Sequence, residues 1–161
     1  MRKNKKPIGQ QDLHQLHVVL CNDNIILSDM ISKTLKNMNK EQDRIKIKEI
    51  ELKPFTRVLL NYIKDYKTDV IIIDSVLKEQ NSLQAIHKIK EIDKDIKIIL
   101  MTTIFSKKIE GMFERGEIDD FVLIPYQDVY LYHAMERCFF SNTKENEFQE
   151  NLDEPIFDFL E

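Results

Sequence analysis

The chain has 161 residues, with 24 Lys+Arg against 28 Asp+Glu, three Gly, two Cys and no Trp. That length suits one domain, and 42% hydrophobic with 32% charged residues is a globular composition, not a disordered one. Glycines at 9, 111 and 116 are too scattered for a G-x-G-x-x-G fingerprint, and Glu117 stands where a phosphate loop needs its lysine, so a Gly-rich nucleotide cradle is excluded.

The chain opens on a basic stretch: residues 1–17 carry four basic side chains against one acidic. No apolar segment follows in residues 7–17, so a signal peptide is not expected, and no apolar run reaches the length of a membrane span. Residues 1–16 read as a mobile basic arm, 17–140 as the folded domain and 141–161 as an acidic tail. The expected location is cytoplasmic, without membrane contact. No basic face suggests nucleic acid. Cys21 and Cys138 read as reduced core cysteines, and the four histidines form no metal-binding pair.

Within the domain, short apolar runs alternate with helical periodicity. His17–Asn22 is a buried strand. A helix follows over Ile25–Met38, with Ile26, Met30, Ile31, Leu35 and Met38 inward and an Asp29–Lys33 pair outside. Ile45–Glu51 alternates like an edge strand. Pro54 marks a helix start, with Val58, Leu59, Tyr62, Ile63 and Tyr66 as its inner stripe. Asp69–Asp74 is a β-branched central strand, followed by a helix carrying Leu83, Ile86, Ile89 and Ile92. Ile96–Thr102 is the next strand, and Lys107–Arg115 a helix stopped by Gly116. Phe121–Ile124 and a helix over Asp128–Phe140, with Val129, Leu131, Met135 and Cys138 or Phe139 inward, complete the domain. Five β–α alternations predict an α/β fold with a doubly wound parallel sheet and helices on both faces.

In such sheets function sits outside the carboxyl ends of the strands. Those ends carry Asn22-Asp23, Asp74, Thr102-Thr103 and Ile124-Pro125. Two carboxylates and a hydroxyl converging there suit a hard divalent cation and a phosphoryl group.

Over residues 17–140 these segments resemble the receiver domain of bacterial two-component response regulators. The likeness lies in the ungapped run from Asp74 to Gln84, in Leu100-Met-Thr-Thr103, and in Asp119-Asp-Phe-Val-Leu-Ile-Pro125, which is similar to a D-D-Y-x-x-K-P signature. The resemblance implies five strands in the order 2-1-3-4-5 with about five helices in a three-layer αβα sandwich. It implies Asp74 as phosphoacceptor, with Asp23, Asp74 and the Val76 backbone carbonyl around Mg²⁺, Thr102 as switch threonine and Phe121 at the aromatic switch position. The sequence departs from the pattern where Asn22 replaces an acid, Ile124 a lysine, Lys78 a proline and Ser82 a glycine.

The expected role is that of an atypical receiver, standing alone because only residues 141–161 follow Phe140. It acts in signal transduction by binding a kinase, phosphotransferase or effector, independently of phosphorylation and with Mg²⁺ held weakly if at all. The alternative is a phosphoaccepting single-domain regulator using Asp74 and Mg²⁺ in a phosphorelay. A phosphatase with an aspartate nucleophile is disfavoured, because Val76 stands where its second aspartate belongs; no enzyme activity is expected beyond phosphoryl transfer to Asp74. Tyr126 and Tyr130 near the last helix, and Ile156, Phe157, Phe159 and Leu160 in the tail, are the candidate partner contacts. The last strand and helix are also where a second copy would pair, and the tail docks either on this domain or on a partner.

Overall fold

Residues 15–78 and 81–140 are described by the computed structural model. The expectations for most of the basic arm and for the acidic tail, including Ile156, Phe157, Phe159 and Leu160, lie outside the described residues. In chain order the elements are β1 (Leu16–Cys21), α1 (Ile25–Glu41), β2 (Ile47–Leu52), α2 (Thr56–Asp65), β3 (Val70–Asp74), α3 (Ser82–Ile92), β4 (Lys97–Thr102), α4 (Lys107–Glu114), β5 (Asp120–Leu123) and α5 (Asp128–Phe140).

The strands form one sheet in the order β2-β1-β3-β4-β5, every neighbouring pair parallel. The predicted fold class and strand order are those observed. Alternation along each strand sends side chains to two separate cores. On one face Val18, Leu20, Val70, Ile72, Ile99 and Met101 meet Ile31, Leu35 and Met38 of α1 and Leu131, Ala134 and Met135 of α5. On the other, Val19, Cys21, Ile71, Ile73, Ile98 and Leu100 meet Leu59 and Ile63 of α2, Ile86 and Ile89 of α3, and Ile109 and Met112 of α4. Both cysteines are free and buried.

The starts of α1, α3 and α4 are set by side-chain oxygens that satisfy otherwise unpaired amides. Asn24 accepts from Leu27 N–H at 3.1 Å, Asn81 from Gln84 N–H at 3.0 Å and Ser106 from Ile109 N–H at 3.3 Å. Gly116, at φ +74°, ends α4 in the left-handed region that only glycine enters without strain. Asn39, near the end of α1, holds the start of β2 with two bonds, accepting from Ile47 N–H at 2.7 Å and donating to its carbonyl at 2.8 Å. Leu16 aligns with Ile47 but His17 with Glu49, so Lys48 bulges from the β1–β2 ladder at the open edge.

Several helix faces differ from the sequence expectation. Ile26 and Met30 are exposed, and the inner face of α1 runs instead through Ser28, Ile31, Thr34, Leu35 and Met38. Val58, Tyr66 and Val129 are also exposed. An apolar arc on these helices is wider than the strip that the sheet covers. Pro54 precedes the cap residue Phe55, so it lies ahead of α2 and not within its first turn. Tyr66 instead stacks on Tyr62, with ring centroids 4.6 Å apart, outside the core.

The acidic pair entering β5 is structural. Asp119 accepts from Lys90 Nζ and from Ile98 N–H, each at 2.9 Å, and Asp120 accepts from Arg137 Nε at 2.6 Å. Removing one partner of such a half-buried ion pair leaves the other charge uncompensated. Asp119→Ala is therefore expected to lower the unfolding free energy by roughly 2–4 kcal/mol in urea titration. Lys33→Ala, which removes only the exposed Asp29–Lys33 pair at 2.9 Å, shifts it by less than about 0.5 kcal/mol.

Candidate functional site

The strand order reverses between β1 and β3, which lie side by side although three elements separate them in the chain. Cys21 aligns with Ile73, and Asp74 with Met101. The carboxyl ends of β1, β3 and β4 thus stand in a row about 5 Å apart from strand to strand. Asn22-Asp23, Asp74 and Thr102 are delivered to one edge, where the sequence reading places them.

Their hydrogen bonds define the pocket. Asp74 is partly buried; its Oδ1 accepts from Val76 N–H at 2.9 Å and its Oδ2 from the Asn22 amide at 3.3 Å. The Asn22 carbonyl oxygen in turn accepts from Asn24 N–H at 2.7 Å, which fixes the buried Asn22 side chain toward Asp74. Asp23 reaches across to the β3–α3 loop, where its Oδ2 accepts from Lys78 N–H at 2.7 Å. Ser82, at the first residue of α3, donates its hydroxyl to the Asp74 carbonyl at 2.7 Å. Lys78 and Ser82, two departures from the receiver pattern, are both tied into the pocket. The sequence reading marked them as departures but assigned them no contact.

No described Lys, Arg or His forms an ion pair with Asp23 or Asp74, whereas Asp119 and Asp120 each hold a basic partner. Burial pushes the Asp74 carboxyl above its ordinary value; Val76 N–H opposes this, Asp23 adds to it and the Asn22 amide opposes it. Burial, with Asp23 and Asp74 nearby, pushes the Cys21 thiol up to about 12, so it is not a nucleophile near neutral pH.

The remaining candidates have other partners. Thr102 is buried, and its hydroxyl donates within its own loop to the Ile104 carbonyl at 3.1 Å. Phe121 lies between Phe105 and Phe113, with centroids at 5.5 and 6.2 Å, on the α2–α3–α4 side of the sheet. Ile124 is partly buried against the opposite core, as are Leu27 and Tyr126. The Tyr126 hydroxyl is 3.0 Å from Thr34 Oγ1, which donates to Asp128 at 2.8 Å and so joins α1 to the start of α5. Tyr130 is more exposed, at 39%.

For Mg²⁺ the available donors are Asp23, Asp74 and backbone carbonyls. Among the described residues no three or more His, Cys, Asp or Glu side chains are grouped to hold a metal. Three of the four carboxylate oxygens already accept N–H bonds.

A carboxyl whose folded value is raised contributes stability below its ordinary range and loses it as pH rises through the folded value. Asp74→Asn avoids that loss. It is expected to be more stable than the parent at pH 7 in urea titration, with the gain shrinking as pH falls below the ordinary carboxylate range.

No protein-family model and no curated protein matches the chain. Solved structures do. The chemotaxis protein CheY4 of Vibrio cholerae superposes with a TM-score of 0.66 at 19% identity, over 77% of this chain and 98% of that one. The receiver domain of a sensor histidine kinase from Pseudomonas aeruginosa, solved with a magnesium ion coordinated in its active-site cleft, superposes with a TM-score of 0.63 at 17% identity, over 79% and 99%. A two-component response regulator from Clostridium difficile gives 0.65 at 17% identity, over 77% and 95%. The chain therefore has the five-stranded α/β fold of receiver domains, with Asp74 at the carboxyl end of its central strand.

Proposed function

We propose that the chain is an atypical receiver-type signalling module that acts by binding another protein, without phosphorylation of Asp74 and without catalysing a reaction of its own. One observation carries this reading: the Asp74 carboxylate is held by neutral donors, Val76 N–H and the Asn22 amide, with no cation opposite it among the described residues. Phosphoryl transfer spreads negative charge over the transferring oxygens, and its catalysis consists largely of stabilising that charge. Ile124, where the receiver pattern has lysine, packs against the α1–α5 core and offers no positive charge. Asn22 withdraws a carboxylate from the metal ligands, so Mg²⁺ is held weakly. The partner is a signalling protein that reads the folded surface.

The competing reading makes Asp74 a phosphoacceptor, and its support is the convergence of Asp74, Asp23 and Thr102 at the switch point of this fold. Incubation with a small phosphodonor and Mg²⁺, followed by intact mass measurement, separates the two. The expected result is no phosphoryl-sized gain for the parent, and a gain for Asn22→Asp/Ile124→Lys. A gain in the parent that is lost in Asp74→Asn overturns the proposal. In calorimetric titration the parent is expected to bind Mg²⁺ at least about tenfold more weakly than Asn22→Asp, since one more carboxylate joins the donor set.

A further inference from the structure

The exposed apolar residues are not scattered. Among the described residues the four most exposed large hydrophobics are Ile25 at 79%, Ile26 at 75%, Val76 at 73% and Ile104 at 69%. All four follow the carboxyl ends of β1, β3 and β4. Ile25 and Ile26 open α1 just after Asp23, Val76 donates its own N–H to Asp74, and Ile104 holds the Thr102 hydroxyl. Those strand ends are adjacent in register, so the four residues stand at the same edge of the sheet as Asp23 and Asp74, as an apolar rim beside the acidic pair. Single exposed hydrophobics need no explanation, but the most exposed ones gathered at one sheet edge beside a polar pair mark an interaction surface.

The pocket within the rim is negative, and no described basic side chain neutralises it. Lys78 is the nearest basic residue in sequence, and it meets Asp23 through its backbone N–H. The acidic tail is a poor occupant: residues 141–161 carry seven acidic side chains and one lysine, so its charge repels Asp23 and Asp74. What complements the surface is an apolar segment that presents one cation. Resting on the reading that Asp74 is not phosphorylated, we infer that the rim of Ile25, Ile26, Val76 and Ile104 docks an apolar helix of a partner protein, whose arginine or lysine enters the pocket between Asp23 and Asp74. The partner thereby supplies the positive charge that Ile124 does not. Apolar contact carries the affinity and the charge-assisted hydrogen bonds set the register.

The test uses the full chain and three short helical peptides that share a leucine stripe, interrupted at one position by arginine, norleucine or glutamate. Each is titrated while backbone amide resonances are followed. The arginine peptide is expected to saturate and to shift the amides of Ile25, Ile26, Val76 and Ile104. The norleucine peptide is expected to bind about tenfold more weakly, and the glutamate peptide more weakly still. Asp23→Asn/Asp74→Asn is expected to erase the preference for arginine while keeping the apolar contact. Ile26→Ser/Val76→Ser, at exposed positions that leave the core intact, weakens all three. Equal affinity for arginine and norleucine, shifts centred elsewhere, or no saturable binding of the arginine peptide overturns the inference. So does a variant lacking residues 1–14 that binds the arginine peptide at least about tenfold more tightly than the full chain, because the basic arm is then the occupant. The phosphodonor experiment is independent of all these outcomes. A peptide failure with Asp74 unlabelled removes only the docking inference, whereas labelling of Asp74 removes the reading beneath it.

Discussion

A strand hydrogen-bonded on both sides and covered on both faces can place a polar side chain only at its ends. β3 is such a strand, paired to β1 and β4 and carrying Val70, Ile71, Ile72 and Ile73, each at most 1% exposed. Asp74 is its first residue able to meet polar partners without crossing a core. Parallel pairing then brings the polar exits of β1 and β4 to the same edge, because right-handed helical crossovers return every strand in one direction. The site is thus a consequence of packing: two apolar cores force the carboxylates, the amide and the hydroxyl into a single row.

The molecule treats its inner acids in two ways. At the entrance to β5, Asp119 and Asp120 are locked by Lys90 and Arg137, tying α3 and α5 to the sheet. At the exits of β1 and β3, Asp23 and Asp74 are held by backbone N–H groups and an amide side chain. The first arrangement is closed and serves stability. The second leaves its carboxylates without a basic partner among the described residues, and burial holds the Asp74 carboxyl above its ordinary value.

Much of this was legible in the residues themselves. The β-branched run before Asp74 and the strand-end positions of Asp23 and Thr102 follow from hydrophobic periodicity alone, and α5 spans Asp128–Phe140 as the pattern predicts. Helix faces were less legible. Ile26, Met30, Val58, Tyr66 and Val129 satisfy the 3.6-residue period yet lie beyond the strip that the sheet covers. Least legible were contacts set by loop backbone or by distant partners. The Lys78 N–H on Asp23, the Ser82 hydroxyl on the Asp74 carbonyl and the bond from Thr34 to Asp128 have no sequence signature. A substitution pattern marks positions 78 and 82 as unusual without saying what they touch.

The bulge at Lys48 has a consequence for how this sheet meets other chains. Among the described residues β2 is an edge strand, and such an edge invites another strand to extend the ladder. Here the strand slips one residue opposite Leu16 and His17 and carries Lys48 and Glu49 exposed beside it. An incoming strand finds neither an even ladder nor an apolar row to match. That end of the sheet's flank is thereby a poor template for strand addition.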